Sequence, residues 1–176
     1  TSIDLYNESK VEVDHDSIRD LIDLVLSANN HQSATVNIII TDETTLKKMK
    51  KKYFNQDLYT DVIAFNIEED PFEGEIYISH ERVKENAKKY KQSFHRELKR
   101  VLIHGTLHLC GYDDQTNKEK SVMTSMEENY LELSRKVFST LTPREEKIIR
   151  LIFLFFFFFL RFCHLFTIQS SEIYRI

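Results

Sequence analysis

A helix that must hold one cation at its C-terminal end constrains this chain more than any other feature. The residues are His104-Gly105-Thr106-Leu107-His108-Leu109-Cys110-Gly111-Tyr112-Asp113-Asp114. Two histidines four apart lie on one helix face, about 40° out of register at roughly 100° per residue, so both imidazoles can reach one ion. Gly111 arrives three residues after His108, where a helix commonly ends in a left-handed residue that glycine adopts without strain. A sharp turn there swings Asp113 or Asp114 back toward the imidazoles. Two histidines and one carboxylate leave a position open for water or substrate. That is the pattern of a catalytic zinc, whereas structural zinc sites usually close with four protein ligands.

Counted from His104, the positions +4, +7 and +10 hold His108, Gly111 and Asp114. The layout is similar to the HExxHxxGxxH pattern of metzincin peptidases, with Asp114 as third ligand. Those peptidases carry a Glu directly after the first His as general base, and here Gly105 stands in that place. A metallopeptidase is therefore a rival reading that lacks its base. His95 projects from a similar face about 13.5 Å away along the axis, too far to share the ion. Cys110 points roughly 160° from His104 and reads as a packed thiol.

The rest of the chain supplies a frame. Residues 3–6 alternate as a short half-buried strand does. From Asp14 or Asp16 a helix begins, with Ile18, Leu21, Ile22, Val25 and Leu26 on its apolar stripe. Thr35 to Thr41 is rich in β-branched residues and predicts a strand. Asp42 then caps a helix from Glu43 to Tyr53, whose exposed side carries Lys47, Lys48, Lys50, Lys51 and Lys52. These lysines are either a solvated face or a patch turned to phosphates, and salt-dependent RNA binding separates the two. Thr60 to Phe65 and Gly74 to Ser79 predict two further strands, joined as a hairpin through Asn66 to Glu73. A charged amphipathic helix follows from His80 or Glu81 to Tyr90. The motif helix runs from Phe94 to Cys110 with Leu98, Val101, Leu102, Leu107 and Leu109 buried, and a last helix runs from Thr116 to about Phe138.

Charge and cysteines narrow the setting. The net charge of −4 gives no global basic field of the kind that marks a nucleic-acid binder, so RNA contacts must come from local patches. Two cysteines and no secretory signal ahead of the first acidic residues point to a reduced, cytoplasmic protein. Residues 1–140 read as one domain of ordinary size. Residues 141–176 are a low-complexity hydrophobic tail, unbroken apolar from Leu151 to Leu160 with five phenylalanines at Phe155 to Phe159. Arg161 stops the run short of the roughly 20 residues a membrane span needs. The tail reads as translated non-native sequence ahead of a membrane anchor or an oligomer contact, and no membrane contact is expected unless it is native.

Three blocks, Tyr59-Thr60-Asp61-Val62-Ile63-Ala64-Phe65, Gly74-Glu75-Ile76-Tyr77-Ile78-Ser79 and His104 to Asp114, resemble the YbeY family of bacterial metal-dependent endoribonucleases. The family writes the last block HGxLHLxGYDH. With helices in the right order the resemblance covers about residues 1–138. It implies an α/β (α+β) fold, with a small mixed sheet of about four strands packed with helices and the motif helix across the sheet. It also implies one zinc ion per chain on His104, His108 and Asp114. The implied activity is cleavage of single-stranded ribosomal RNA, on ribosomal particles and not on DNA, in 16S rRNA 3′-end maturation and ribosome quality control. Catalytic candidates are Asp113, as proton acceptor or turn former, and Asp61. Lys47, Lys48, Lys51 and Lys52 are candidate RNA contacts, and Tyr59 or Phe54 could stack on bases, although both read more naturally as core.

Two departures bear on function. Asp114 replaces the family's third His, so an oxygen replaces a nitrogen at the ion. The family places an Arg a few residues before the TDV segment, where Tyr53-Phe54-Asn55 has none, which leaves Lys51 or Lys52 to serve phosphate. That loss also keeps open a non-catalytic ribosome-binding protein whose metal merely staples the turn.

Overall fold

The computed structural model describes residues 1–139, so the hydrophobic tail read at 141–176 lies outside the described residues. Thr1–Ser134 form one folded unit and Arg135 begins a second. Among the described residues no helix is long and apolar enough to cross a membrane.

Among the described residues four strands and five helices follow in the order β1 (Ser2–Asn7), α1 (His15–Ala28), β2 (Thr35–Thr41), α2 (Glu43–Phe54), β3 (Val62–Glu69), β4 (Phe72–Ser79), α3 (His80–Lys89), α4 (Phe94–Leu109) and α5 (Asn117–Ser139). The sheet order is β1-β2-β4-β3. β1, β2 and β4 run parallel, and β3 pairs antiparallel with β4. The fold is the expected mixed α/β sheet.

Local chemistry sets the helix starts. Asp14, Asp42, Ser79 and Ser93 each accept, through the side chain, an N–H from the first turn of α1, α2, α3 and α4. α5 opens on a capping box: Glu119 donates its N–H to the Thr116 hydroxyl, and Thr116 donates its N–H to the Glu119 carboxylate at 2.7 Å.

Alternation decides which sheet face is buried. Ile38, Ile40, Ile76 and Ile78 are wholly buried together with Leu21, Ile22 and Leu26 of α1 and Leu102 and Leu107 of α4. α4 crosses this face closely. A Cβ on Gly105 would meet Ile76 Cγ2 at 2.9 Å and Val62 Cγ2 at 3.0 Å. Gly105 therefore faces the sheet, and no general base could project from it toward a cation. All five apolar positions expected to be buried on α4 are buried.

The hairpin differs from its sequence reading. β3 starts two residues later than Thr60 and continues to Glu69, while β4 begins at Phe72, so the connection is only Asp70-Pro71. The extension is a solvated edge strand with a register shift between Asn66 and Glu68, and its Asn, Glu and Asp residues mimic a loop. On α5, Met123 and Leu131 are buried, whereas Val122 and Leu133 face water.

Candidate metal centre

α4 ends in a Schellman turn. Gly111 has φ of +87°, Tyr112 donates its N–H to the Leu107 carbonyl at 3.0 Å, and Gly111 donates to the His108 carbonyl at 3.0 Å. The turn reverses the chain and brings Asp114 back along the helix face that carries the histidines. One ligand atom from each of His104, His108 and Asp114 lies within 4.8 Å of the others. The three metal residues expected from spacing are thus brought together.

The outer nitrogens explain why these imidazoles suit a cation. His108 Nδ1 lies 2.9 Å from the Tyr112 carbonyl, and His104 Nδ1 lies 2.7 Å from Glu127 Oε1. Both acceptors require an N–H, so each neutral ring carries its lone pair on Nε2. The two Nε2 atoms stand 3.0 Å apart. Two lone pairs at that separation repel unless a proton or a cation lies between them. Burial, and then the neighbouring His104, push the His108 pKa down, which favours the neutral ligand form.

Carboxylates surround this pair. Glu127, on α5 and nearly buried, also accepts from Arg100 at 3.2 Å. Arg100 in turn meets the fully buried Glu97 at 2.6 Å and Asp61 at 3.6 Å. Three carboxylates share one guanidinium, an imbalance that favours positive charge nearby. Burial alone would raise the Glu127 pKa, but the His104 and Arg100 contacts hold it below the ordinary range. Burial likewise opposes the charge on Arg100, and Glu97 and Glu127 more than restore it. The donor set of two imidazole nitrogens and one carboxylate oxygen fits zinc, a borderline-soft ion that takes both.

The other expected residues fall in different places. Asp113 is exposed, and its Oδ1 accepts the Asp114 N–H at 2.7 Å. Asp61 lies at Arg100 and not among the three ligand atoms, and its Oδ2 accepts from Asn86 at 3.0 Å. Lys47 and Lys51 pair with Asp57 at 3.4 and 3.1 Å, while Lys48 and Lys52 stand exposed on α2. Tyr59 and Phe54 are 44% and 43% exposed, which corrects their reading as core. Cys110 packs against the core, and burial pushes its thiol pKa up to about 11, as a packed thiol requires.

Glu97, Arg100 and Glu127 were missed by spacing within the motif. The signal for Glu127 lies elsewhere: it sits midway between Met123 and Leu131 at four-residue steps, on the buried stripe of α5. An acid on such a stripe needs a buried partner.

A mixed sheet crossed by a helix that ends in a two-histidine, one-carboxylate cluster able to hold a metal ion defines an α/β protein with a candidate metal site. The sequence matches the model of the family described as endoribonuclease YbeY over residues 4–135. A relative named endoribonuclease YbeY from Flavobacterium psychrophilum is 43% identical over 110 residues, 62% of this chain and 79% of the relative. Another of that name, from Amoebophilus asiaticus, is 43% identical over 122 residues, 68% and 83% of the two chains. The solution structure of TM1509 from Thermotoga maritima is similar with a TM-score of 0.58 and 29% identity, covering 78% of this chain and 92% of that one. The chain belongs to the YbeY endoribonuclease family. Neither the peptidase nor the non-catalytic staple is favoured by these matches, and the sheet-facing Gly105 argues against the former.

Proposed function

We propose that residues 1–140 form a zinc-dependent endoribonuclease domain that cleaves single-stranded ribosomal RNA. The setting is rRNA processing, including 16S rRNA 3′-end maturation, and ribosome quality control in the cytoplasm. The observation that carries the reading is the convergence of two Nε2 lone pairs and the Asp114 carboxylate, with each Nδ1 proton held by a fixed acceptor. Family membership supplies the RNA phosphodiester as substrate.

When bound, zinc supplies Lewis acidity toward a phosphate oxygen and a water acidified toward ~7. The chain's own residues do the rest. Glu127 keeps the proton of His104 on Nδ1, and the Tyr112 carbonyl does the same for His108, so both rings present Nε2. Asp114 adds an oxygen ligand and lowers the net positive charge left at the site. Asp113, exposed next to that ligand, takes a proton from the attacking water as its oxygen bonds to phosphorus, while the P–O bond to the leaving ribose oxygen breaks and that oxygen takes a proton from solvent. Asp61 acts through Arg100, whose guanidinium is occupied by three carboxylates and is no phosphate clamp. Lys47, Lys48, Lys51 and Lys52 of α2 contact the RNA backbone away from the reacting phosphate, Lys47 and Lys51 on release from Asp57.

The test is incubation of purified protein with single-stranded RNA and with denatured casein, each with and without chelator. RNA should be cut, casein left intact, and cleavage stopped by chelation. Casein hydrolysis, or RNA bound by the metal-loaded protein and left whole, contradicts the proposal.

A further inference from the structure

The sheet face turned away from α4 carries a cluster that the metal centre does not use. Register places Val62, Ala64, Ile76 and Ile78 on the α4 side, and Ile63, Phe65 and Tyr77 on the other. α2 covers that other face only in part, since Leu46 is its one buried residue. At the last turn of α2, Tyr53 and Phe54 remain 55% and 43% exposed. Both lean on Phe65: Phe54 stacks on it at 5.9 Å between centroids with planes 24° apart, and Tyr53 meets it edge-on at 5.2 Å. Tyr77 continues the row at 6.0 Å from Phe65.

Cations border these rings. Lys50 Nζ lies 4.7 Å over Phe54 and Lys52 Nζ lies 4.6 Å over Tyr53. Lys47 and Lys51 are taken up by Asp57, whereas Lys48, Lys50 and Lys52 have no carboxylate partner among the described residues. Glu75, paired with Phe65 on this face, accepts from the Tyr77 hydroxyl at 2.8 Å, and the exposed Glu73 and Glu68 pair further along the same face towards the hairpin end. Beyond the platform, the loop of residues 55–60 carries the exposed Tyr59, with Lys47 and Arg82 over its ring. It ends at Asp61, in contact with Arg100 of the site. The loop thus leads from the platform to Asp61, and Arg100 links Asp61 to Glu127, the partner of His104.

Half-exposed rings, with flexible lysines over them that have no carboxylate partner among the described residues and can swing off to a phosphate, match an unpaired nucleotide strand. Bases stack on the rings with little regard to sequence, and the ammonium groups meet phosphates.

We infer that Tyr53, Phe54 and Phe65, with Lys48, Lys50 and Lys52, form a second binding site that holds single-stranded RNA flanking the scissile bond. The inference rests on the RNA reading of the metal centre. It assigns a place on the protein to strand that the centre itself does not touch.

The experiment is fluorescence anisotropy with a labelled RNA single strand of roughly a dozen nucleotides, a length within the usual span of such sites, in chelator so that nothing is cut. Tyr53→Ala/Phe54→Ala should weaken binding roughly tenfold or more. Phe54→Leu, which keeps apolar volume and removes the ring, should lose part of that. Zinc stoichiometry and melting temperature of both variants should stay close to those of the unaltered protein. Unchanged single-strand affinity overturns the inference, as does equal weakening toward a duplex of the same length, which would mean charge without stacking. Loss of binding to anionic vesicles with RNA affinity intact would assign the patch to membrane and overturn it too. If the unaltered protein binds RNA through these rings but never cuts it, the nuclease reading fails and the platform stands. If it binds no RNA at all, both fall.

Discussion

His104 and His108 both present Nε2 because other groups hold their Nδ1 protons, and for His104 that group is Glu127, twenty-three residues away on another helix. Glu127→Gln keeps an acceptor but removes the charge that orients the ring and favours the ion. Zinc affinity, read by competition with a chromophoric chelator, should fall roughly 10- to 100-fold while the far-ultraviolet circular dichroism stays unchanged. An unaltered affinity would show that Glu127 only fills space. Gly111 is the other decisive residue, since its φ of +87° is open to glycine and strained for nearly all others. Gly111→Ala should cost about 1 kcal/mol in thermal unfolding and loosen zinc binding, and Gly111→Asn should cost less because Asn tolerates that region. Equal melting temperatures for all three proteins would contradict the role given to the turn. The clustering of His104, His108 and Asp114 was legible in the sequence because they share one helix and one turn, where spacing becomes geometry directly. Glu97 and Arg100 form an i,i+3 pair on α4, but Asp61 and Glu127 join them only through tertiary packing, which spacing within the motif does not encode.

Helix starts are the most legible elements, because a cap is a short-range hydrogen bond between neighbours in sequence. At α2, Asp42 accepts from the Thr45 N–H at 2.9 Å and also from the Thr44 and Thr45 hydroxyls. These bonds hold its pKa well below the usual carboxylate range. A depressed carboxylate stabilises the fold above its unfolded pKa, and that contribution fades as pH falls toward the folded value. Asp42→Ala should therefore destabilise by about 1 kcal/mol at neutral pH, with the gap to the unaltered protein narrowing only below about pH 4. Urea unfolding at several pH values checks this, and a gap independent of pH would contradict it. The close crossing of α4 over the sheet makes a second prediction. Gly105→Ala should destabilise by roughly 1–3 kcal/mol, because Ile76 and Val62 must move for a methyl that has no room. The β3 extension escaped the sequence reading for the opposite reason: an edge strand solvated on its outer side has no apolar period to read.

The whole molecule places its chemistry at one end of a single helix and uses the sheet to fix that helix. β2 and β4 supply the buried floor, α4 lies across it, and α5 returns to set Glu127 against His104. Alternating strand and helix patterns and the motif made a mixed sheet expected from the family resemblance. The strand order β1-β2-β4-β3 is decided by long-range pairing and was not legible. In the proposed function this assembly grips one cation, which RNA cleavage requires. The most direct test of that grip is elemental analysis of purified protein alongside cleavage of single-stranded RNA, for the unaltered chain and for His104→Ala. One zinc per chain, with metal and cleavage lost together in the variant, is the predicted result. A His104→Ala protein that cuts RNA as fast as the unaltered one, or an unaltered protein that cuts at full rate with no metal bound, would contradict it.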